Sequence, residues 1–366
     1  MILRIVNLAL FVLLSLFLFD KTFAKGYYNW DSLAYSYAVH INEGLSIKDA
    51  HALTYQTLKQ EVSNGLYEDL CCSSKYRRAQ FENPDNLDSM MPMYALKPGY
   101  IFLIKQTKDT FQVSEFQAMN YISLISILLI AALIFLRFFQ LSSFAQFLWI
   151  PVVFLGELLF LGKLMTPDAI SALLILLGTI GLLRKRYVFG CIVLGLSLLF
   201  RLDLIVVIGL LGLLPAIDKK YYFALANSAL YLFGYFIISY SSDHVGWWPH
   251  FYTSLVSTQV NMSEFDPDFS LSKYLEILYG NFMWILNDNR YIKWFATSFA
   301  LLLTSVILYT QKKHTYLNIV GITLGIAIFI KFILFPKVDS RVYLSILIAL
   351  IYVSALNFRN AKKYID

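Results

Sequence analysis

The feature that most constrains this chain is a series of apolar runs that recurs along its whole length. A helix needs about 20 mostly apolar residues to cross a bilayer core about 30 Å thick. Ten candidate runs are present, each with at most one charged residue: 2–19, 119–136, 146–161, 168–183, 188–200, 204–217, 221–239, 294–310, 316–334 and 342–357. The sequence therefore predicts an all-α polytopic membrane protein with about ten transmembrane helices.

The composition excludes an ordinary water-soluble protein. Apolar residues make up 58% of the 366 and charged residues 15%, whereas a soluble domain is about 45–50% apolar and about 25% charged. The net charge is +6, but the basic residues gather at the ends of the apolar runs and form no basic face. Nucleic acid is therefore not an expected partner. Three cysteines are too few for a disulfide framework.

The stretch 188–217 is too long to be one span. As a single helix it would measure about 45 Å, and Arg201 and Asp203 would lie near its middle, where a charge is costly. Two short helices that meet at Arg201-Leu202-Asp203 remove both difficulties. The first run, 2–19, is interpreted as an uncleaved helix rather than a signal peptide, because nine further runs follow it.

Basic clusters between the runs predict the orientation, because short cytoplasmic loops are enriched in Lys and Arg. With the N-terminus inside, the short outer turns hold Lys163, Arg201, Lys337 and Arg341. The inner segments hold the larger set: Arg4, Arg137, Arg184, Lys185, Arg186, Lys219, Lys220, Lys312, Lys313, Arg359, Lys362 and Lys363. Both termini are therefore expected in the cytoplasm.

Two long segments separate the apolar runs, and this orientation places both outside the cytoplasm. We divide the chain into an N-terminal membrane module, 1–240, a second extracytoplasmic loop, 241–293, and C-terminal transmembrane helices, 294–366. The first module includes a long extracytoplasmic loop, 20–118. Apolar positions in 47–62 recur at helical spacing, so this loop is expected to be helical. Loops of this length usually carry function.

Two acidic residues on the predicted outer face are candidates for catalysis. Asp31 follows the first run in an aromatic setting, Tyr27-Tyr28-Asn29-Trp30-Asp31. It either caps the next helix or acts as a general base whose pKa is raised by partial desolvation. Asp168 follows Thr166-Pro167 at the start of a run, where an acidic residue either stabilises the first turn or serves the site.

Basic residues in two outer turns are candidates for anion binding. Arg201 either pairs internally with Asp203 or binds phosphate, whose oxygens suit its planar fork. Lys337 and Arg341 flank Asp339 in a turn whose basic character runs against the positive-inside trend. They either reach toward lipid headgroups or bind an anionic ligand.

The sequence lacks the nucleotide and metal motifs of common enzymes. No P-loop, GxGxxG or HExxH pattern is present, and the inner loops are too short for a nucleotide-binding domain. A donor bound as a cytosolic nucleotide is therefore not expected. Asp266 and Asp268 alone supply too few ligands for a divalent-metal site, so no metal and no cofactor are expected.

Taken in order, these outer residues resemble the motifs of the GT-C superfamily of polytopic glycosyltransferases. That group includes protein O-mannosyltransferases and the enzyme that adds aminoarabinose to lipid A. Asp31 matches the acidic position after helix 1, and Lys97-Pro98-Gly99-Tyr100 resembles the basic-Pro-x-Tyr stretch before helix 2. Three more short matches follow: Thr166-Pro167-Asp168-Ala169, Phe200-Arg201-Leu202-Asp203 and Arg341-Val342-Tyr343. The resemblance covers most of 1–220 and the end weakly; Ser32 replaces the second acid of the O-mannosyltransferases.

The resemblance implies an inverting transfer of sugar from a polyprenyl-phosphate donor on the extracytoplasmic face. Asp31 would take the proton of an acceptor hydroxyl, and Asp168 would orient the sugar or acceptor. The phosphate would be bound by basic residues: Arg201, Arg341, Lys337 and Lys97. The partners implied are the lipid-linked donor, a glycan, lipid or protein acceptor, and membrane lipids.

Two other functions remain open from the sequence. A transporter or flippase of lipid-linked sugars would need polar residues along a path through the membrane, and Glu157 is the deep candidate. A glycan polymerase or ligase usually needs several Arg in a late outer loop, and 240–293 holds only Lys273, Arg290 and Lys293. Short tails without retention signals favour a bacterial inner membrane.

Overall fold

The chain is almost entirely helical. The computed structural model describes residues 2–23, 26–141, 143–313 and 315–361, and side chains are described except at Ser143 and 358–361. Helix accounts for 81% of the structure, and the described residues form no strand. An isolated bridge joins Tyr27 to Leu164. The all-α prediction is therefore confirmed.

The described residues form twenty α-helices, which we number in chain order. They are α1 (Ile2–Phe23), α2 (Trp30–Asn42), α3 (Ile47–Glu61), α4 (Asn64–Cys72), α5 (Lys75–Glu82), α6 (Pro84–Ser89), α7 (Met91–Tyr94), α8 (Pro98–Phe111), α9 (Glu115–Phe139), α10 (Trp149–Leu155), α11 (Leu158–Lys163), α12 (Asp168–Leu183), α13 (Tyr187–Leu196), α14 (Ile205–Gly212), α15 (Tyr221–Ser241), α16 (Trp247–Leu255), α17 (Leu271–Asn287), α18 (Asn289–Thr310), α19 (Thr315–Leu334) and α20 (Arg341–Ala361). Short 3₁₀ helices occupy Ser143–Phe147, Ser197–Leu199, Leu202–Leu204 and Leu214–Asp218.

Five helices are long and apolar enough to cross a membrane, namely α1, α9, α15, α18 and α19. They coincide with five of the predicted spans and indicate an integral membrane protein. Shorter apolar helices lie at four other predicted positions: Phe144–Leu155, Asp168–Leu183, Tyr187–Leu199 and Arg341–Asn357. A 16-residue helix such as α12 is about 24 Å long, less than a bilayer core of about 30 Å. The count of about ten spans therefore stays a prediction.

The predicted break in 188–217 is confirmed. The α13 helix ends at Leu196 and is followed by a 3₁₀ turn. Arg201 is then extended, with φ −149° and ψ 101°, and a second 3₁₀ turn leads into α14. The chain thus reverses at the charged residues and keeps both out of the middle of a helix.

The run 146–161 differs from the single helix expected. Gly156 and Glu157 separate α10 from α11, and Glu157 has a left-handed backbone, with φ 50°. A Cβ at Gly156 would lie 2.9 Å from the Val152 carbonyl oxygen and 3.0 Å from Ile348. The close approach of α20 at this point requires glycine, and hydropathy alone gives no sign of it.

The α20 helix lies at the centre of the bundle. Every residue from Tyr343 to Asn357 is buried. It packs against α10, α12, α18 and α19, and its side chains join a large apolar core with those helices. Lys362 and Lys363 were among the basic residues from which the orientation is predicted, and they lie outside the described residues.

The segment between α1 and α9 forms a second, smaller core. Seven helices, α2 to α8, pack around buried residues that include Leu33, Tyr37, Leu58 and Tyr100. Side chains of Asn29, Ser46, Ser63 and Ser74 accept hydrogen bonds from backbone N–H groups and so start α2, α3, α4 and α5. The helical character expected for this segment is observed, while its extracytoplasmic position stays a prediction.

The α1 helix is tied to the bundle by a buried polar network. Asn7 is fully buried, and its amide nitrogen donates to the backbone and side-chain oxygens of Gln146, at 3.2 and 3.3 Å. Its amide oxygen accepts from Trp149 Nε1 at 2.6 Å. Hydrogen bonds between membrane helices contribute about 0.6–1.7 kcal/mol each. The network therefore holds α1 against the segment that contains Gln146 and Trp149.

Replacing Asn7 should destabilise the bundle, because Asn7→Ala leaves Trp149 Nε1 without its acceptor. We expect a loss of about 1–2 kcal/mol, seen as a lower melting temperature of the purified protein in detergent. Leu8→Ala, on the half-exposed neighbouring face, is the matched control and should change the melting temperature less. Equal effects of the two substitutions would contradict the assigned role.

Candidate functional site

A cavity of about 700 Å³ lies at one end of the bundle. Its walls come from α2, the α5–α8 region, the turns before α12 and α14, α16, and the connection from α19 to α20. All six predicted site residues line it: Asp31, Lys97, Asp168, Arg201, Lys337 and Arg341. We call it the charged cavity. Residues that the sequence separates by up to 310 positions are therefore brought together.

Asp31 does not cap its helix, so that interpretation is wrong. Asn29 is the N-cap, and it forms a reciprocal capping box with Ser32. Asp31 lies in the first turn and is free to face the cavity. Its carboxylate accepts a hydrogen bond from the Tyr94 hydroxyl at 3.2 Å and pairs with Arg341 Nη1 at 2.6 Å.

The pKa of Asp31 is lowered, not raised as the sequence led us to expect. Burial raises this pKa, but the Arg341 guanidinium, the nearby Lys97 ammonium and the Tyr94 hydroxyl together outweigh burial. Asp31 is therefore ionised at neutral pH. Local sequence shows the aromatic neighbours of Asp31 but not Arg341, which comes from the far end of the chain.

Arg341 is held between two carboxylates. Its Nη1 contacts Asp31, and its Nε contacts Asp339 Oδ2 at 2.8 Å. The Asp339 Oδ1 atom also accepts the backbone N–H of Arg341 at 3.1 Å. The guanidinium plane is thus fixed at the first turn of α20, where Arg341 lines the cavity.

Arg201 is held in the same manner. Its Nη1 donates to Asp168, while Nε and Nη2 contact the two oxygens of Asp203 at 3.1 and 2.9 Å. The other Asp168 oxygen accepts from the Thr166 hydroxyl. The internal ion pair proposed from the sequence is therefore observed, and it includes Asp168 as a second partner.

Lys331 is a cavity residue that the sequence analysis missed. It is only 5% exposed, near the end of α19, and its ammonium contacts Asp203 Oδ2 at 2.7 Å. It also donates to the Val342 carbonyl at 2.7 Å. A signal was available, because Lys331 is the single charged residue in the apolar run 316–334, and charges within membrane helices are functional candidates.

Lys97 and Lys337 have no carboxylate within ion-pair distance among the described residues. The Lys97 ammonium donates to the Met93 carbonyl at 3.0 Å and lies over the rings of Tyr35 and Tyr94. That of Lys337 donates to the Ser254 carbonyl at 3.3 Å. Burial lowers both pKa values, that of Lys97 to about 8. These are the cations most available to an anionic ligand.

The position of Lys97 depends on a glycine. A Cβ at Gly99 would lie 2.8 Å from Leu199 Cβ and 3.1 Å from the Leu199 carbonyl oxygen. The first turn of α8 therefore rests directly on the chain that leads to Arg201. This contact brings the Lys97-Pro98-Gly99 segment beside the Arg201 turn.

Two histidines lie beside the cavity. His244 Nε2 and His250 Nδ1 are 3.0 Å apart and share a hydrogen bond. His250 lines the cavity, and burial, with His244 and Lys97 nearby, lowers its pKa to about 3. His250 is therefore neutral at physiological pH. The described residues contain no group of three or more side chains suited to a metal ion.

The uncharged walls of the cavity differ in character. On the side of α2 to α7 they are aromatic and methionine-rich, formed by Trp30, Tyr76, Met90, Met93 and Tyr94. Other lining residues come from apolar helices: Ile205 and Val206 from α14, Tyr235 from α15 and Leu334 from α19. Charged, aromatic and aliphatic side chains thus line the same cavity, so one ligand could contact both a polar and an apolar surface.

Comparisons with protein-family models, curated proteins and solved structures find no match to this chain. The charged cavity and the order of motifs in the sequence are therefore the two observations that bear on function.

Enlarging Gly99 should disturb the cavity. Gly99→Ala adds a methyl group that collides with Leu199, and overpacking of this kind costs about 1–3 kcal/mol. Gly65→Ala is a matched control, because Gly65 also lies in the first turn of a helix and has open space around it. We expect a lower melting temperature in detergent for Gly99→Ala alone. Equal melting temperatures for the two variants would show that the contact is not tight.

Proposed function

We propose that this protein is a membrane glycosyltransferase. It moves a sugar from a polyprenyl-phosphate donor to an acceptor hydroxyl on the extracytoplasmic face, with inversion at the anomeric carbon. The observation that carries the proposal is the convergence of Asp31 with the basic residues of the charged cavity. A reaction of this kind needs a base on one side of the anomeric carbon and positive charge at the leaving phosphate.

The predicted topology agrees with this use of the cavity. With about ten spans and a cytoplasmic N-terminus, every segment that lines the cavity falls on the extracytoplasmic side. The predicted inner residues meet at another place, where Lys185 pairs with Asp218 at 2.8 Å and the Tyr316 hydroxyl donates to the Leu182 carbonyl. We place both termini in the cytoplasm and the protein in a bacterial inner membrane.

The charge of the cavity suits a lipid phosphate. Five basic side chains and three acidic ones line it, and Asp339 pairs with Arg341 from behind. One positive charge remains in surplus, and Lys97 and Lys337 are the lining cations that contact carbonyl oxygens instead of carboxylates. The apolar wall of Ile205, Val206 and Leu334 would contact the lipid chain as it leaves the site toward the membrane.

Asp31 is the proposed general base. The acceptor oxygen bonds to the anomeric carbon while the bond from that carbon to the phosphate oxygen breaks. The polyprenyl phosphate leaves with the electron pair, and the hydroxyl proton passes to the Asp31 carboxylate. No metal is needed, since fixed cations stabilise the charge that grows on the phosphate.

Arg341 would couple the phosphate to the base. Its guanidinium pairs with Asp31, and a phosphate in the cavity would compete for the same donors. When the phosphate shares the donors of Arg341, the influence that lowers the pKa of Asp31 weakens, and Asp31 becomes a stronger base. Asp168 has both oxygens bonded, to Arg201 and Thr166, which favours a role in holding Arg201 over contact with the sugar.

Asp31→Asn should abolish transfer without loss of the protein. Removal of a general base costs about 10²–10⁴ in rate, so we expect at least a 100-fold fall in product. The assay is sugar transfer in proteoliposomes supplied with a panel of polyprenyl-phosphate-linked hexoses and pentoses. Asp109→Asn, on an exposed position of α8, is the control and should retain activity.

Two outcomes of this assay would contradict the proposal. Full activity of Asp31→Asn would remove Asp31 as the base. Passage of the intact lipid-linked sugar across the liposome membrane, with no glycosylated product from the wild-type protein, would favour a flippase instead.

Phosphate binding should weaken as the pH rises through about 8. Lys97 is charged below its pKa of about 8 and loses that charge above it. Farnesyl methyl phosphate is a suitable probe, because a phosphodiester keeps one negative charge throughout this range. Quenching of Trp30 and Trp247, which line the cavity, would report binding between pH 7 and pH 9.

The Lys97→Arg variant supplies the comparison, because arginine stays charged at pH 9. We expect it to keep a larger share of its pH 7 affinity than the wild-type protein does. Identical pH profiles for the two proteins would exclude Lys97 as a phosphate ligand.

A further inference from the structure

Lys331 is a buried cation that the mechanism above does not use. It lies near the end of the apolar helix α19 and is 5% exposed. A charge in such a helix is costly, and leucine or methionine would fill the same position without that cost. The contacts of Lys331 therefore need an explanation beyond packing.

We infer that Lys331 is a positioning residue that sets the separation of Arg201 and Arg341, the two guanidinium groups proposed to stabilise the leaving phosphate. The inference rests on the proposed glycosyltransferase function and deepens it. Two contacts of the Lys331 ammonium group, one to Asp203 and one to the Val342 carbonyl, lead to this role.

The first contact reaches Arg201. Lys331 Nζ is 2.7 Å from Asp203 Oδ2, and the same oxygen accepts Arg201 Nη2 at 2.9 Å. Asp203 binds two of the donor nitrogens of Arg201, so the location of this carboxylate fixes the plane of the guanidinium. Lys331 therefore acts on Arg201 through Asp203.

The second contact reaches Arg341. Lys331 Nζ donates to the Val342 carbonyl at 2.7 Å, and Val342 follows Arg341 in the first turn of α20. Asp339 holds the Arg341 side chain from the turn before the helix. The backbone of that turn is thus tied by Lys331 to the carboxylate that orients Arg201.

A single ammonium group consequently bridges two segments that are far apart in sequence and that each carry one arginine. Asp203 and the Val342 carbonyl both accept from Nζ at hydrogen-bonding distance. These contacts suit a side chain that holds two segments at a fixed distance better than one that moves to bind phosphate. The ring of Tyr343 lies below it, with its centroid 5.8 Å from Nζ. Loss of the ammonium would leave both arginines in place but free to change their separation.

The expected effect is on the rate of transfer, not on binding. A misplacement of about 1 Å in a catalytic arrangement can cost about 100-fold in rate. For Lys331→Met we expect kcat to fall by about 10- to 100-fold, with less than a threefold change in the affinity for farnesyl methyl phosphate. Lys331→Arg, which keeps the charge but changes the length and shape of the donor, should leave binding unchanged and recover kcat only in part.

The experiment measures kcat, KM, farnesyl methyl phosphate affinity and melting temperature on the full-length protein in detergent or proteoliposomes. Lys312→Met removes a positive charge from an exposed position in the turn between α18 and α19 and is the control. Should Lys331→Met fail to fold, Lys331→Arg tests the inference by itself, through a lower kcat at an unchanged melting temperature.

Three other results would each overturn the inference. An unchanged kcat in folded Lys331→Met would show a purely structural ion pair. A tenfold or greater loss of affinity for farnesyl methyl phosphate, restored by Lys331→Arg, would make Lys331 a direct phosphate ligand. A wild-type protein that neither binds this probe nor transfers sugar would overturn the proposed function itself, and with it the role of Lys331.

Discussion

The ion pair between Asp31 and Arg341 is the interaction on which the charged cavity depends. It joins α2 to the first turn of α20. It thereby links the small core of α2–α8 to the main bundle. Burial raises the pKa of Asp31, and Arg341, with Lys97 and Tyr94, outweighs burial and keeps this pKa low. One contact therefore contributes both to the packing of the two cores and to the charge of Asp31.

The remaining charges follow the same rule, since a charge in a region of low dielectric is tolerated when it is paired and hydrogen-bonded. Arg201 pairs with both Asp168 and Asp203, and Asp203 also pairs with Lys331. Lys97 and Lys337 are the exceptions, because they contact carbonyl oxygens instead of carboxylates. The site is thus rigid where charges are balanced and able to accept an anion where they are not.

Much of this arrangement can be predicted from the sequence, for identifiable reasons. Hydropathy locates the long apolar helices, and the cost of a charge inside a membrane locates the break at Arg201. Motif order and predicted sidedness select the six candidate residues that share the cavity. Three features are not accessible in this way: the partner of Asp31, the interruption at Gly156 and Glu157, and the role of Lys331. Each depends on contacts between distant segments, which local sequence does not contain.

The burial of α20 has a consequence for how the protein is made. This helix follows nearly all of the described chain in sequence, yet it fills the middle of the bundle, with every residue from Tyr343 to Asn357 buried. Its neighbours α10, α12, α18 and α19 are therefore synthesised before the surface that covers them exists. Until α20 packs, Asp31 lacks its guanidinium partner and Lys331 lacks the Val342 carbonyl. Assembly of the charged cavity is thus a late event in biogenesis, and a nascent chain arrested before α20 carries Asp31 without the arginine that helps to keep its pKa low.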